Sequence, residues 1–190
     1  MSSSDVYANA GDIFFVRGAS LLSRAIRFTE RHIGSGGGAV NHVGVIVTDG
    51  LVQNVTEVEA LSHVRIATLW RSYASGGDRV AIYRDTRLTP TLRASVATRA
   101  RQYVGDTYGY GKIILHFLDW CLFGAYVFRR LGGMDRYPIC SWVVAFAYFR
   151  GASITFGTPP AEASPNTIYA HVVAHPEWFM RVRELEALTP

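Results

Sequence analysis

The stretch RYPICSWVVAFAYFRG, residues 136–151, sets a cysteine directly in front of an unbroken run of apolar and aromatic residues. With Pro138 just ahead, the run reads as a helix with Cys140 at or just inside its N-terminus. Backbone N–H groups there lack intrahelical partners, and the helix dipole favours a thiolate over a thiol. The same N–H groups, those of Cys140 and Ser141, are suited to stabilising an oxyanion on an attacked carbonyl. On its own, a cysteine beside apolar residues is simply a small buried hydrophobe. The chemical reading depends on what else the chain brings to that helix end.

The rest of the pattern describes an α+β chain, a small antiparallel sheet with packed helices. GDIFFVRG is a short buried strand, NHVGVIV and VQNVTEVEA form a hairpin around TDG, and RVAIYRD is a third strand. TPTLRASVATRARQYVG carries helix signals at both ends, with Leu92, Val96, Ala100 and Tyr103 on one face and Gly105 as the stop. SLLSRAIRFTER, capped by Ser20, and the segment from Ile113 to about residue 130 are further helices. The latter, with His116 and Asp119, is too short and too polar for a membrane span, and Cys121 within it reads as core. At 190 residues and 49% hydrophobic the chain suits one domain over 1–190, with 1–10 and 157–190 as peripheral segments and a last element near EWFMRVREL.

A nucleophilic cysteine needs a base, and His42 lies within an otherwise apolar strand, on the same face as Gly44 and Ile46. Gly44 would leave open space beside the imidazole. The base in turn needs an acceptor that fixes its tautomer, and Glu57 and Glu59 share a face of the next strand. A tight turn at Asp49 and Gly50 places Glu57 across from His42, and a loop two residues longer places Glu59 there. Both stay open on spacing alone.

Other chemistries have weaker support. HIGSGGGAV lacks the Gly-Lys-Ser/Thr ending of a phosphate-binding loop. HVVAH sets His171 and His175 one helical turn apart, but without the glutamate of a zinc protease or an evident third ligand, so no metal and no cofactor is expected. The formal net charge is +4, almost all of the positive charge arginine because Lys112 is the only lysine. The arginines are scattered rather than gathered in a stripe, so nucleic acid is not the expected partner; the charge reads first as a plain solvated surface, and beyond that as a hint of an anionic partner such as a cell wall, phosphate or membrane surface.

The order of these motifs, GDIFFVRG, NHVGVIV, VEALSHV, YGYGKI and ICSWVVAFAY, resembles the circularly permuted NlpC-type papain-like hydrolases, the YiiX-like branch related to lecithin:retinol acyltransferase. The resemblance implies a permuted papain-like fold in which the histidine of an HxG strand, His42, comes early and the nucleophile, Cys140, opens a late helix. It implies a glutamate followed by alanine as third residue, which favours Glu59 with Ala60 over Glu57. It also departs from the pattern: the acid expected between Tyr108 and Tyr110 is Gly109, and Trp142 follows Ser141 where a smaller side chain is common. Tyr108 is a candidate for substrate contact.

The activity so implied is cysteine hydrolysis of an amide, first of all in peptidoglycan stem peptides. The alternatives are lipid or acyl-ester hydrolysis or transfer, motivated by the aromatic run around Trp120 and Phe123, and a binding role in a phage tail or secretion assembly. The N-terminus MSSSDVYANAGD carries no secretory signal pattern, so cytoplasmic synthesis is expected, with virion association or signal-independent delivery as the route to a wall substrate.

Overall fold

The computed structural model describes residues 5–18, 39–61, 63–106 and 140–188. Eight strands are present among them: β1 (Tyr7–Ala8), β2 (Ile13–Arg17), β3 (His42–Ile46), β4 (Gly50–Leu51), β5 (Thr56–Ala60), β6 (Val64–Thr68), β7 (Arg79–Asp85) and β8 (Phe179–Ala187). Four α-helices accompany them: α1 (Leu69–Tyr73), α2 (Pro90–Arg101), α3 (Cys140–Ala152) and α4 (Pro165–Ala174). Six strands form one sheet in the order β6-β5-β3-β2-β7-β8, every neighbouring pair antiparallel. The expected α+β architecture of helices on an antiparallel sheet is therefore present. The expected helices around 20–31 and 113–130 lie outside the described residues, as do Tyr108, Cys121, Trp120 and Phe123.

The central strand β2 shows why this sheet reads as an apolar run rather than as alternation. Ile13 and Phe15 pack on one face with Val43, Val45, Val58 and the helices α2 and α3. Phe14 and Val16 pack on the other with Ile46, Ile82, Leu69 and Tyr73. A sheet covered on both faces needs apolar residues at every position. Helix α2 begins as its sequence dictates: Thr89 accepts from the Leu92 N–H at 3.3 Å, Pro90 follows at the first helical position, and Val96, Ala97 and Ala100 are buried. Helix α3 crosses the sheet above β3, and its Tyr148 hydroxyl donates to the Gly11 carbonyl, pinning its far end.

Three expectations are corrected. The chain does not reverse at Asp49 and Gly50. Gly50 and Leu51 pair instead with Ala8 and Tyr7, and Asp49 accepts from the Ala10 N–H at 2.7 Å, so the reversal falls at Leu51–Val55. Residues 7–10 are thereby part of the framework, with Ala8 fully buried. The segment from 157 on is likewise not peripheral: α4 opens with a Ser164/Thr167 capping box, β8 extends the sheet beside β7, and Ile168, Val172 and Phe179 enter the core.

The third correction concerns Gly44, which leaves no open space. A Cβ built there would lie 2.4 Å from Phe14 Cζ and 2.8 Å from the Val58 carbonyl oxygen. The glycine admits the Phe14 ring, whose centroid lies 6.4 Å from that of His42. Neither the strand carbonyl nor the fully buried ring can yield cheaply, so Gly44→Ala is expected to destabilise the fold by about 2 kcal/mol or more. A urea midpoint unchanged from wild type would refute this.

Candidate active site

His42 begins β3, opposite Val16 of β2, and Glu59 stands near the end of the neighbouring strand β5. Pairs Val45–Val58 and Ile46–Glu57 fix the β3–β5 register. Extended along the strands, that register sets Glu59 beside Gly44, so Glu59 reaches His42 on the diagonal. This is a longer loop than either spacing considered from sequence. His42 Nε2 lies 2.9 Å from Glu59 Oε2, and both side chains are nearly or wholly buried. Glu57, on the same face, makes no such contact. It lies opposite Ile46, further from the helix end, and accepts from Ser72 Oγ at 3.2 Å.

Cys140 is the first residue of α3 and only 7% exposed, and its side chain lies close enough to His42 to favour the protonated imidazole. With Nε2 facing Glu59, Nδ1 is the ring nitrogen left for the sulfur. Burial works against a charged imidazole, but the Cys140 sulfur and the Glu59 carboxylate together outweigh it and push His42 up to about 10. The structure thus brings together three residues that are far apart in sequence, in the order sulfur, imidazole, carboxylate.

Two residues unmarked in the sequence reading complete the surroundings of Glu59. Arg65, its cross-strand partner in the β5–β6 pairing, donates Nε at 2.9 Å and Nη2 at 2.6 Å to Oε1. The Tyr73 hydroxyl, from the end of α1, donates to Oε2. Burial opposes the carboxylate charge, yet hydrogen bonds from His42, Tyr73 and Arg65 lower Glu59 to about 2. Arg65 was within reach of the sequence, because EALSHVR is a short hairpin that sets position 65 against 59. Tyr73 was not, because its approach depends on how α1 folds back over the sheet.

Glu57 contrasts with Glu59. It is fully buried, its Oε2 has no hydrogen-bond partner among the described residues, and burial followed by the charge of Glu59 pushes it up to about 9. A carboxyl whose folded value is raised above 4.5 favours the fold fully below that pH and progressively less as pH rises through about 9. Glu57→Gln, which cannot ionise, should therefore gain thermal stability over wild type as pH climbs from 5 to 9, by several degrees at the alkaline end. A melting difference that is flat with pH would contradict it.

Ser141 is fully buried, and its hydroxyl has no partner among the described residues. Its backbone N–H and that of Cys140 lie in the first turn of α3, where no intrahelical acceptor exists. Trp142 packs against Tyr103 and Phe146, with ring centroids 5.1 and 4.2 Å away, and so works as a strut between α2 and α3. The His171 and His175 ring centroids lie 4.2 Å apart in a tilted pair, but His175 Nδ1 is bonded to the His171 carbonyl and its ring lies flat on Trp178. Among the described residues no three His, Cys, Asp or Glu side chains are grouped to hold a metal ion, and no helix is long and apolar enough to cross a membrane.

Comparison with known proteins gives two findings. Residues 7–115 match the family described as permuted papain-like amidase enzyme, YaeF/YiiX, C92 family. The matched stretch contains His42, Glu57, Glu59, Arg65 and Tyr73 and ends before Cys140. A solved structure, described as the metalloprotein yiiX from Escherichia coli O157:H7, superposes with a TM-score of 0.54 at 19% identity, over 94% of this chain and 86% of that one. At that identity the likeness shows a shared fold. No curated protein matches the chain.

Proposed function

The chain belongs to the permuted papain-like amidases of the YaeF/YiiX, C92 family, a cysteine hydrolase family, and on that premise we propose that Cys140, His42 and Glu59 form its catalytic site and that it cleaves an amide bond in peptidoglycan stem peptides. The observation that carries the reading is the contact chain from the Cys140 sulfur through His42 to Glu59. The Cys140 thiolate attacks the amide carbonyl, and the developing oxyanion is met by first-turn N–H groups of α3. His42 gives its proton to the leaving amine as the C–N bond breaks, leaving a thioester on Cys140. His42 then takes a proton from water, which attacks the thioester, releases the acid and restores the thiolate–imidazolium pair. Glu59 holds the imidazole ring in one orientation and supports its charge.

The arginine-dominated net charge of +4 favours an anionic polymer as substrate, which supports the wall assignment. The competing acyl-ester reading and the assembly role make different predictions. Turnover of a purified stem peptide should exceed that of a fatty-acyl ester by at least about 100-fold in kcat/KM, a difference of some 2.7 kcal/mol in transition-state binding. Preferential ester turnover would replace the amide reading with the acyl-ester one. Absence of turnover on both, with an unreactive Cys140, would leave the assembly role.

A further inference from the structure

A cleft of about 510 Å³ opens over β6 and α1, and Arg65, which bonds Glu59, is one of its walls. Its walls include Arg65, Arg71, Thr56, Thr68 and Ser72, and among the described residues no acid lines it. Two of its hydroxyls are already engaged, Ser72 with Glu57 and Thr56 with Thr48. That leaves the Thr68 hydroxyl and the two guanidinium groups. Arg71 has no ion-pair partner among the described residues. Arg65 uses Nε and Nη2 on Glu59, while 39% of its side chain remains open to solvent.

We propose that this cleft is a binding site for a small oxyanion, a carboxylate or a phosphate group, held between Arg71 and the outer face of Arg65 with Thr68 as an additional donor. Planar guanidinium groups match two-oxygen anions in geometry as well as charge. Two arginines lining one cleft, one of them without an ion-pair partner among the described residues and neither met by a lining acid, leave positive charge that an anion would balance. The buried carboxyl beneath, Glu57, retains its proton at neutral pH and adds no repulsion.

Arg65 touches both the cleft and Glu59, so occupancy is coupled to the Cys140–His42 pair. An anion in the cleft draws on the positive charge of Arg65, leaves more of the Glu59 charge to His42, and strengthens the imidazolium. This coupling rests on the cysteine hydrolase reading above, whereas binding itself does not.

The test follows the arginine Nε–H resonances of the full chain by NMR during titration with inorganic phosphate and, separately, acetate, at constant ionic strength set with chloride. Saturable shifts at both Arg65 and Arg71 are expected with at least one anion, and the more effective of the two identifies the guest as phosphate-like or carboxylate-like. Arg71→Gln, at an exposed residue without an ion-pair partner among the described residues, should weaken that binding at least about tenfold. Shifts that do not saturate, or affinity unchanged in Arg71→Gln, would overturn the site. For the coupling, the saturating anion should change the rate of Cys140 alkylation at least about twofold in wild type and leave it unchanged in Arg71→Gln. An equal response in both would refute the coupling. Arg71-dependent binding beside an unreactive Cys140 would leave the site standing and remove the hydrolase reading.

Discussion

Cys140→Ala is expected to abolish amide turnover, by at least about 10³-fold, while the protein stays folded. The residue is nearly buried at the start of α3, and losing one sulfur atom from a site at the sheet surface costs about 1 kcal/mol, well within the stability of a domain this size. The companion measurement is alkylation by iodoacetamide across pH, with Cys121 as internal comparison. An ordinary thiol gains reactivity as pH rises toward about 8.5. Because His42 retains its proton until about 10, Cys140 has a cationic partner throughout the neutral range and should label quickly well below pH 8. His42→Ala removes that partner and should slow labelling at pH 6 by at least about tenfold. Labelling of Cys140 no faster than Cys121, or full turnover by Cys140→Ala, would show the helix end to be structural.

Glu59→Gln carries the second large effect, because Glu59 alone accepts from four donor groups on three residues. An amide retains the shape but supplies one oxygen and one N–H₂ group to face His42, Tyr73 and Arg65, all donors at present. At least one of them is left without an acceptor. Turnover should fall by about 10²–10⁴-fold, the scale at which a triad acid governs its histidine. Stability should fall by about 2–3 kcal/mol, less than the 3–5 kcal/mol of a fully enclosed pair, because Arg65 reaches water. The loss has a defined pH window. Glu59, lowered from 4.5 to about 2, supports the fold above pH 4.5 and loses that effect as pH falls through 2. His42, raised from 6.5 to about 10, supports it below pH 6.5 and loses that effect as pH rises through 10. The gap between wild type and variant should therefore be widest between pH 4.5 and 6.5. A merely structural role would lower stability without moving the alkylation profile of Cys140, and that result would remove Glu59 from the reaction.

The fold places these groups by means that differ in how local they are. Helix α2 was legible in full, because Thr89, Pro90 and the Val96/Ala100 stripe act within a few residues of one another. The same holds for Cys140 at the head of α3 and for the buried strands β2 and β3. The segment from 157 read as surface because it is rich in Pro, Ala and Ser, with a last element near EWFMRVREL; that element is β8, which β7 accepts as an edge strand, with Arg183 donating to backbone carbonyls at Val80 and Glu186.

Sequence by itself determined which residue types are available: a cysteine at a helix start, a histidine in a strand, and two glutamates on one face of the next. Which glutamate meets the histidine was decided by tertiary structure. Side-chain alternation has a period of two, so it assigns Glu57 and Glu59 to the same face equally well. The choice came from register, set when residues 7–8 captured Gly50–Leu51 and moved the chain reversal beyond Leu51. It came also from the ring of Phe14 filling the space over Gly44, and from Arg65 and Tyr73 arriving around Glu59 while Glu57 was left with Ser72. Those contacts join positions remote along the chain, and no local periodicity encodes them.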